Sequence, residues 1–121
     1  MAMLADATIA DGERLTALQA RARASGVDID ILSIARPDDL QPALAQATAH
    51  GAAAVNILAS TLLFANRQKI FAAAAALKLA TMYQWIDGIR EGAFAAYGPG
   101  LEETFRQRAR QAAKILRGVK A

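Results

Sequence analysis

The residues best suited to chemistry stand just after the apolar stretches of the chain. They are Asp6-Ala7-Thr8, Ala35-Arg36, Ala59-Ser60-Thr61, Tyr83-Gln84-Trp85 and Tyr97-Gly98-Pro99. If each stretch is a parallel strand, both tyrosines, the one tryptophan and two adjacent hydroxyls converge on a single rim. Ligands of open α/β sheets bind at that rim. Ser60-Thr61 precedes a helix, so the helix N–H groups there suit an anionic group such as a carboxylate. The aromatic rings supply an apolar wall with a polar handle. Ser60, Thr61, Tyr83, Trp85, Tyr97 and Gly98 are therefore the candidate ligand-binding residues. Ordinary packing at a strand end is the alternative for Tyr83 and Trp85. For Tyr97 it is a hydroxyl bonded to nearby backbone, and for Ser60 and Thr61 it is helix capping.

Catalytic templates fit poorly. His50 is the sole histidine and falls at a helix end beside Gly51, away from the rim, and there is no cysteine. A familiar zinc site has too few ligands, and thiolate chemistry and disulfides are excluded. Neither glycine-rich phosphate fingerprint follows a strand, so the dinucleotide and P-loop readings fail and no cofactor is expected. Asn56 to Ser60 offers no acceptor aspartate, and Asp28 and Asp30 read as a wet strand face. The chain reads as a non-enzyme.

The elements that position the rim follow from periodicity. Ala2 to Ala5 reads as a short strand, and Leu15, Leu18 and Ala22 recur at helical spacing within a helix near 12–25. Val27, Ile29 and Ile31 alternate with Asp28 and Asp30, which suits an edge strand. Pro37 opens a helix with the stripe Leu40, Ala43, Leu44 and Ala47, closed by Gly51. Ala52 to Leu58 is nearly all apolar, as in a strand covered on both faces. One long helix from about Leu62 to Leu77 turns Ile70, Phe71, Ala74 and Leu77 inward. A strand at Leu79 to Tyr83, a turn at Ile86 to Arg90, a strand at Phe94 to Tyr97 and a last helix carrying Phe105, Ala109, Ala112 and Leu116 complete the chain. Strict alternation with short loops predicts a doubly wound, five-stranded parallel sheet in order 2-1-3-4-5, flanked by helices in one domain.

Composition agrees. The chain has 121 residues, 55% hydrophobic and 21% charged, enough for one core without staples. Much of the apolar share is alanine, which packs closely but buries little area. The excess implies that one face is meant to be covered by something else. The formal net charge is +3, with Arg106, Arg108, Arg110, Lys114, Arg117 and Lys120 gathered near the end. No aromatics interleave with them as single-strand binding would want, so no nucleic-acid partner is expected and a solvated helix face is the simpler reading. No signal peptide or membrane span is apparent.

Four stretches carry a resemblance. Leu63-Phe64-Ala65-Asn66-Arg67, Tyr97-Gly98-Pro99-Gly100-Leu101, Phe105-Arg106 and Lys114-Ile115-Leu116-Arg117-Gly118-Val119-Lys120 resemble the substrate-binding proteins of ABC transporters, of the tryptophan/tyrosine-binding type. The resemblance covers nearly the whole chain but only that family's second lobe. It implies a flavodoxin-like periplasmic-binding-protein lobe that closes on a small-molecule ligand such as an amino acid or a carboxylate. It further implies a missing first lobe, an ABC permease as partner, and a periplasmic or lipid-anchored location. The chain would then be an excised domain or a truncated gene product. Asp6-Ala7-Thr8-Ile9-Ala10-Asp11 stands where the family has Asn-Pro pairs, and Glu91-Gly92 where it has Gly-Gly. Two further readings use the same features: an interaction module forming a homodimer through an alanine-rich face, and a flavin or nucleotide binder using the same rim.

Overall fold

The computed structural model describes residues 1–118, so the expectations for Lys120 and for the Val119-Lys120 end of the last motif lie outside the described residues. The strands are β1 (Ala2–Asp6), β2 (Asp30–Ile34), β3 (Ala54–Ile57), β4 (Ala80–Tyr83) and β5 (Ala95–Ala96). The helices are α1 (Gly12–Ala24), α2 (Leu40–Ala49), α3 (Thr61–Ala65), α4 (Arg67–Ala76) and α5 (Leu101–Leu116). All strand pairs are parallel, and the order is β2-β1-β3-β4-β5. This is the doubly wound, flavodoxin-like α/β fold expected from the alternation.

The order dictates which helix covers which face. The step from β1 to β2 runs opposite to the steps from β2 to β3 and β3 to β4. Right-handed crossovers therefore put α1 on one face and α2 and α4 on the other. On the α2/α4 face, Leu4, Leu32, Ile34, Val55, Ile57 and Tyr83 meet Leu40, Leu44, Ala47, Ile70, Phe71 and Ala74 in one core. Leu4 aligns with Leu32 on one side and Ile57 on the other, and Val55 aligns with Thr81. This register brings the buried residues of four strands into one layer.

The α1 face is finished only over β1, where Met3 and Ala5 are buried. Over the next three strands, Ala54, Asn56, Ala80 and Ala95 are half-buried and Met82 is 41% exposed. The expectation of a β3 covered on both faces is thus half right. Val55 and Ile57 are sealed, while Ala54 and Asn56 look toward an open strip.

Other boundaries shift for local reasons. The long helix expected from Leu62 to Leu77 breaks at Asn66, whose φ of −106° and ψ of 12° leave the helical region. The Asn66 side-chain amide donates to the Leu62 carbonyl at 2.9 Å and closes α3. Pro37–Asp39 forms a 3-10 turn before α2, and one Asp39 carboxylate oxygen accepts from the Ala35 and Arg36 N–H groups. The fourth crossover is a 3-10 turn, Ile86–Ile89. The β2 strand starts three residues after Val27. The two aspartates stay on the wet side, as expected, and each has a neighbour there: Asp28 lies 3.6 Å from Arg23 and Asp30 lies 2.7 Å from His50 Nδ1.

Candidate functional site

A cleft of about 620 Å³ opens between α1 and the carboxyl ends of β1 and β3. In the order 2-1-3-4-5 the chain reverses direction between β1 and β3, which is where such sheets bind ligands. One wall comes from α1, where Asp11, Arg14, Leu15, Leu18 and Arg21 recur at helical spacing and so share a stripe. The other wall is Ala5, Asp6 and Ile9 after β1 and Leu58-Ala59 after β3. Leucines and isoleucine supply apolar surface, and carboxylates and guanidiniums stand on the same margin.

Asp6 is the buried polar group of this cleft, at 6% exposure. Its Oδ1 accepts from the Thr8 backbone N–H at 2.9 Å and from the Thr8 hydroxyl at 2.6 Å. An aspartate that bonds its own chain two residues on makes a tight turn, and here that turn carries the chain off β1. The Thr8 hydroxyl holds the Asp6 carboxyl below the usual carboxylate range, burial works against this, and Ser60 adds to the lowering. The cleft thus keeps a fixed negative charge at its floor at neutral pH. Asp11 has a structural task as well: its carboxylate accepts from the Glu13 N–H at 3.0 Å and caps α1.

The six residues expected from sequence do not line this cleft. Ser60 comes nearest, beside Asp6. It caps α3, its hydroxyl accepting from the Leu63 N–H at 2.9 Å. Thr61 is exposed. Two features of this helix start weigh against the expected anion site. Ser60 already takes one of the N–H groups, and α3 has only five residues, too few to build a useful dipole.

Tyr83 is also corrected. Its side chain points into the α2/α4 core, with 2% exposure, and meets Phe71 edge to face at 5.2 Å between ring centroids. A Cβ on Gly88 would lie 2.4 Å from Tyr83 Cδ1, so the turn after β4 closes directly over the ring. The Tyr83 hydroxyl is buried with no hydrogen-bond partner among the described residues. Burial raises its pKa, and the nearby Arg67 opposes that rise.

Trp85 is half-buried against the core and opens the 3-10 turn, its carbonyl accepting from the Gly88 N–H at 3.0 Å. Tyr97 is 87% exposed, while its N–H donates to the Tyr83 carbonyl at 2.9 Å. Gly98 has a φ of 155°, and a Cβ there would sit 1.9 Å from the Gln84 carbonyl oxygen. It is a glycine because two backbones cross. These four residues fasten β4, β5 and the start of α5 together at the far side of the rim.

A second polar group lies on that side. The Arg67 guanidinium grips Glu91 through Nε and through Nη2 at 2.9 Å, donates to the Phe64 carbonyl at 3.0 Å and stacks on the Phe64 ring at 4.4 Å. Glu91 is held below its ordinary pKa by Arg67, and Arg67 is raised by Glu91. Each guanidinium nitrogen of Arg67 has a protein partner, so the pair works as a clamp between α4 and the segment before β5.

Sequence reasoning placed Asp6 and Thr8 on the rim without choosing them, and it missed the α1 wall. The signals were an Asx turn at the end of the first strand and charged residues interleaved with Leu15 and Leu18 on one stripe. No group of three or more histidine, cysteine, aspartate or glutamate side chains suited to a metal ion occurs among the described residues. No described helix is long and apolar enough to cross a membrane. Comparison of the sequence with protein-family models and with curated proteins gives no match.

Proposed function

We propose that this chain is a solute-binding lobe of an ABC-transporter substrate-binding protein, taking a small organic ligand such as an amino acid or another carboxylate. The observation that carries the reading is the cleft at the β1/β3 reversal. Its volume falls in the range of small-molecule sites, roughly 300–1,000 Å³. Its apolar walls suit a hydrocarbon body, Asp6 suits an ammonium or hydroxyl donor, and Arg14 and Arg21 suit a carboxylate. The ABC permease, the companion lobe and a periplasmic or lipid-anchored location belong to the proposal through the resemblance in the four motifs. A single lobe leaves the open side of a ligand wet, so affinity for the isolated lobe is expected to be weak.

Calorimetric titration with amino acids and small carboxylates tests it. Saturable heat that disappears in Arg14→Glu and survives in Tyr97→Ala supports a ligand in this cleft. Heat that survives Arg14→Glu but is lost in Trp85→Ala and Tyr97→Ala moves the site to the β4/β5 rim. No heat from any solute overturns the proposal.

A further inference from the structure

Two surfaces of this chain are left without partners, and they match. The first is the apolar stripe of α5. Leu101, Phe105, Ala109, Ala112 and Leu116 fall within about 80° of the helix circumference at about 100° per residue. A stripe this regular is made for burial. Yet α5 has no buried residue, Phe105 is 61% exposed and Leu116 is 88% exposed. The second surface is the open strip of the α1 face: Ala54 and Asn56 on β3, Ala80 and Met82 on β4, and Ala95 on β5. Asn56, Met82 and Ala95 align across the three strands. The strip carries no charge, and its small side chains leave room for large ones.

The start of α5 is fastened to the β4–β5 junction. The Leu101 N–H donates to Asp87 Oδ2 at 2.6 Å, and the Tyr97 N–H donates to the Tyr83 carbonyl at 2.9 Å. Gly98 is wedged against the Gln84 carbonyl. Docking onto a second copy breaks none of these contacts.

The chain has exposed area enough for an interface. A compact monomer of 12.8 kDa exposes about 6,300 Å², whereas this chain exposes 8060 Å², an excess of about 1,800 Å². A standard interface takes about 800 Å² from each partner.

The geometry points to a two-fold homodimer in which the α5 stripe of each copy lies on the β3–β5 strip of the other. Phe105 and the two leucines fill the space above the alanines, while Ala109 and Ala112 let the helix come close to the sheet. Reciprocal exchange covers both orphan surfaces and closes the assembly. A membrane surface fits α5 less well. Along the helix the middle of its stripe is Ala109 and Ala112, which insert little apolar volume, and Glu102 and Glu103 stand at one end, tied to Arg106 at 2.6 Å and 3.6 Å. This inference does not depend on the nature of the solute.

The chain has no native cysteine, so disulfide trapping reads the contact cleanly. Met82→Cys and Phe105→Cys chains are purified separately, mixed at equal concentration and oxidised. The expected product is a covalent dimer holding one chain of each kind, formed much faster than either variant dimerises alone. In sedimentation velocity, Phe105→Glu is expected to weaken dimerisation at least tenfold with unchanged circular dichroism. Faster trapping of Phe105→Cys with itself would mean that helix pairs with helix, and would overturn the proposal. Closure within one chain in the double variant would show α5 folding back and would also overturn it. So would a monomer at all concentrations, or a dimer lost in favour of binding to phosphatidylglycerol vesicles.

Discussion

Along β3 and β4, neighbouring residues live in two different environments. Val55, Ile57, Thr81 and Tyr83 are sealed under α2 and α4, and Leu44, Ile70 and Ala74 beneath them are at 0% exposure. One residue away on the same strands, Ala54, Asn56, Ala80 and Met82 lie under no helix. The strand alternation is the same on both sides, so the difference comes from the helices available. Two helices that bury residues serve the α2/α4 face. On the other face α1 covers β1 alone, and α5 turns its stripe away. The first face supplies stability. The second holds the cleft and the strip, where a ligand or a second copy can contribute what the chain lacks.

Substitutions should separate the two faces sharply. Ile70→Ala or Leu44→Ala is expected to cost about 2–5 kcal/mol of unfolding free energy, because each leaves a cavity in a packed layer. Met82→Ala on the open face is expected to cost under about 0.5 kcal/mol, as a surface change does. Denaturant unfolding of the three variants in dilute solution checks this. Equal losses on both faces would erase the distinction.

Gly98→Ala comes next. Its Cβ collides with the Gln84 carbonyl and its φ disfavours a side chain, so a loss of about 1–3 kcal/mol is expected. The readout is the melting temperature. An unchanged value would mean that the β4–β5 junction does not hold the start of α5 as described.

Tyr83→Phe sharpens the account of the sealed face from the other direction. Its hydroxyl is buried without a protein partner, so removing it is expected to leave stability unchanged or to raise it by about 1 kcal/mol. A clear loss in chemical denaturation would show that the hydroxyl is satisfied.

The smallest effect concerns acid. The Asp6 carboxyl titrates lower in the folded chain than in the unfolded one, so its charged form stabilises the fold at neutral pH. That contribution is present above the unfolded carboxylate pKa of about 3.9 and is lost as pH falls through the folded value. Thr8→Val removes the main cause of the lowering. Its stability curve is expected to approach that of the parent chain as pH falls through the folded value and to fall short of it near neutrality. A constant gap across the range would assign Thr8 a packing role only.

Strand alternation and helix spacing made the fold readable, because every parallel strand is followed by a crossover and the order 2-1-3-4-5 follows from short, right-handed connections. The site was read less well, since strand-end chemistry depends on which way a side chain leaves the strand. Tyr83 follows Thr81 and Met82 on β4, and parity alone turns its ring into the core. Thr61 starts a helix that Asn66 stops after one turn, which no apolar spacing announces. The α1 wall was hidden because Leu15 and Leu18 read as ordinary core positions, while they border a cleft. The exposed stripe of α5 could not be foreseen from a spacing that normally means burial.

The claim that the α1 face is the working face is tested most directly by amide chemical shifts. An isotopically labelled chain, kept dilute, is titrated with amino acids and small carboxylates. Shifts confined to Asp6, Ile9, Arg14, Leu18 and Ala59 are the expected result. Shifts centred on Tyr83 and α4, or none from any solute, would contradict it.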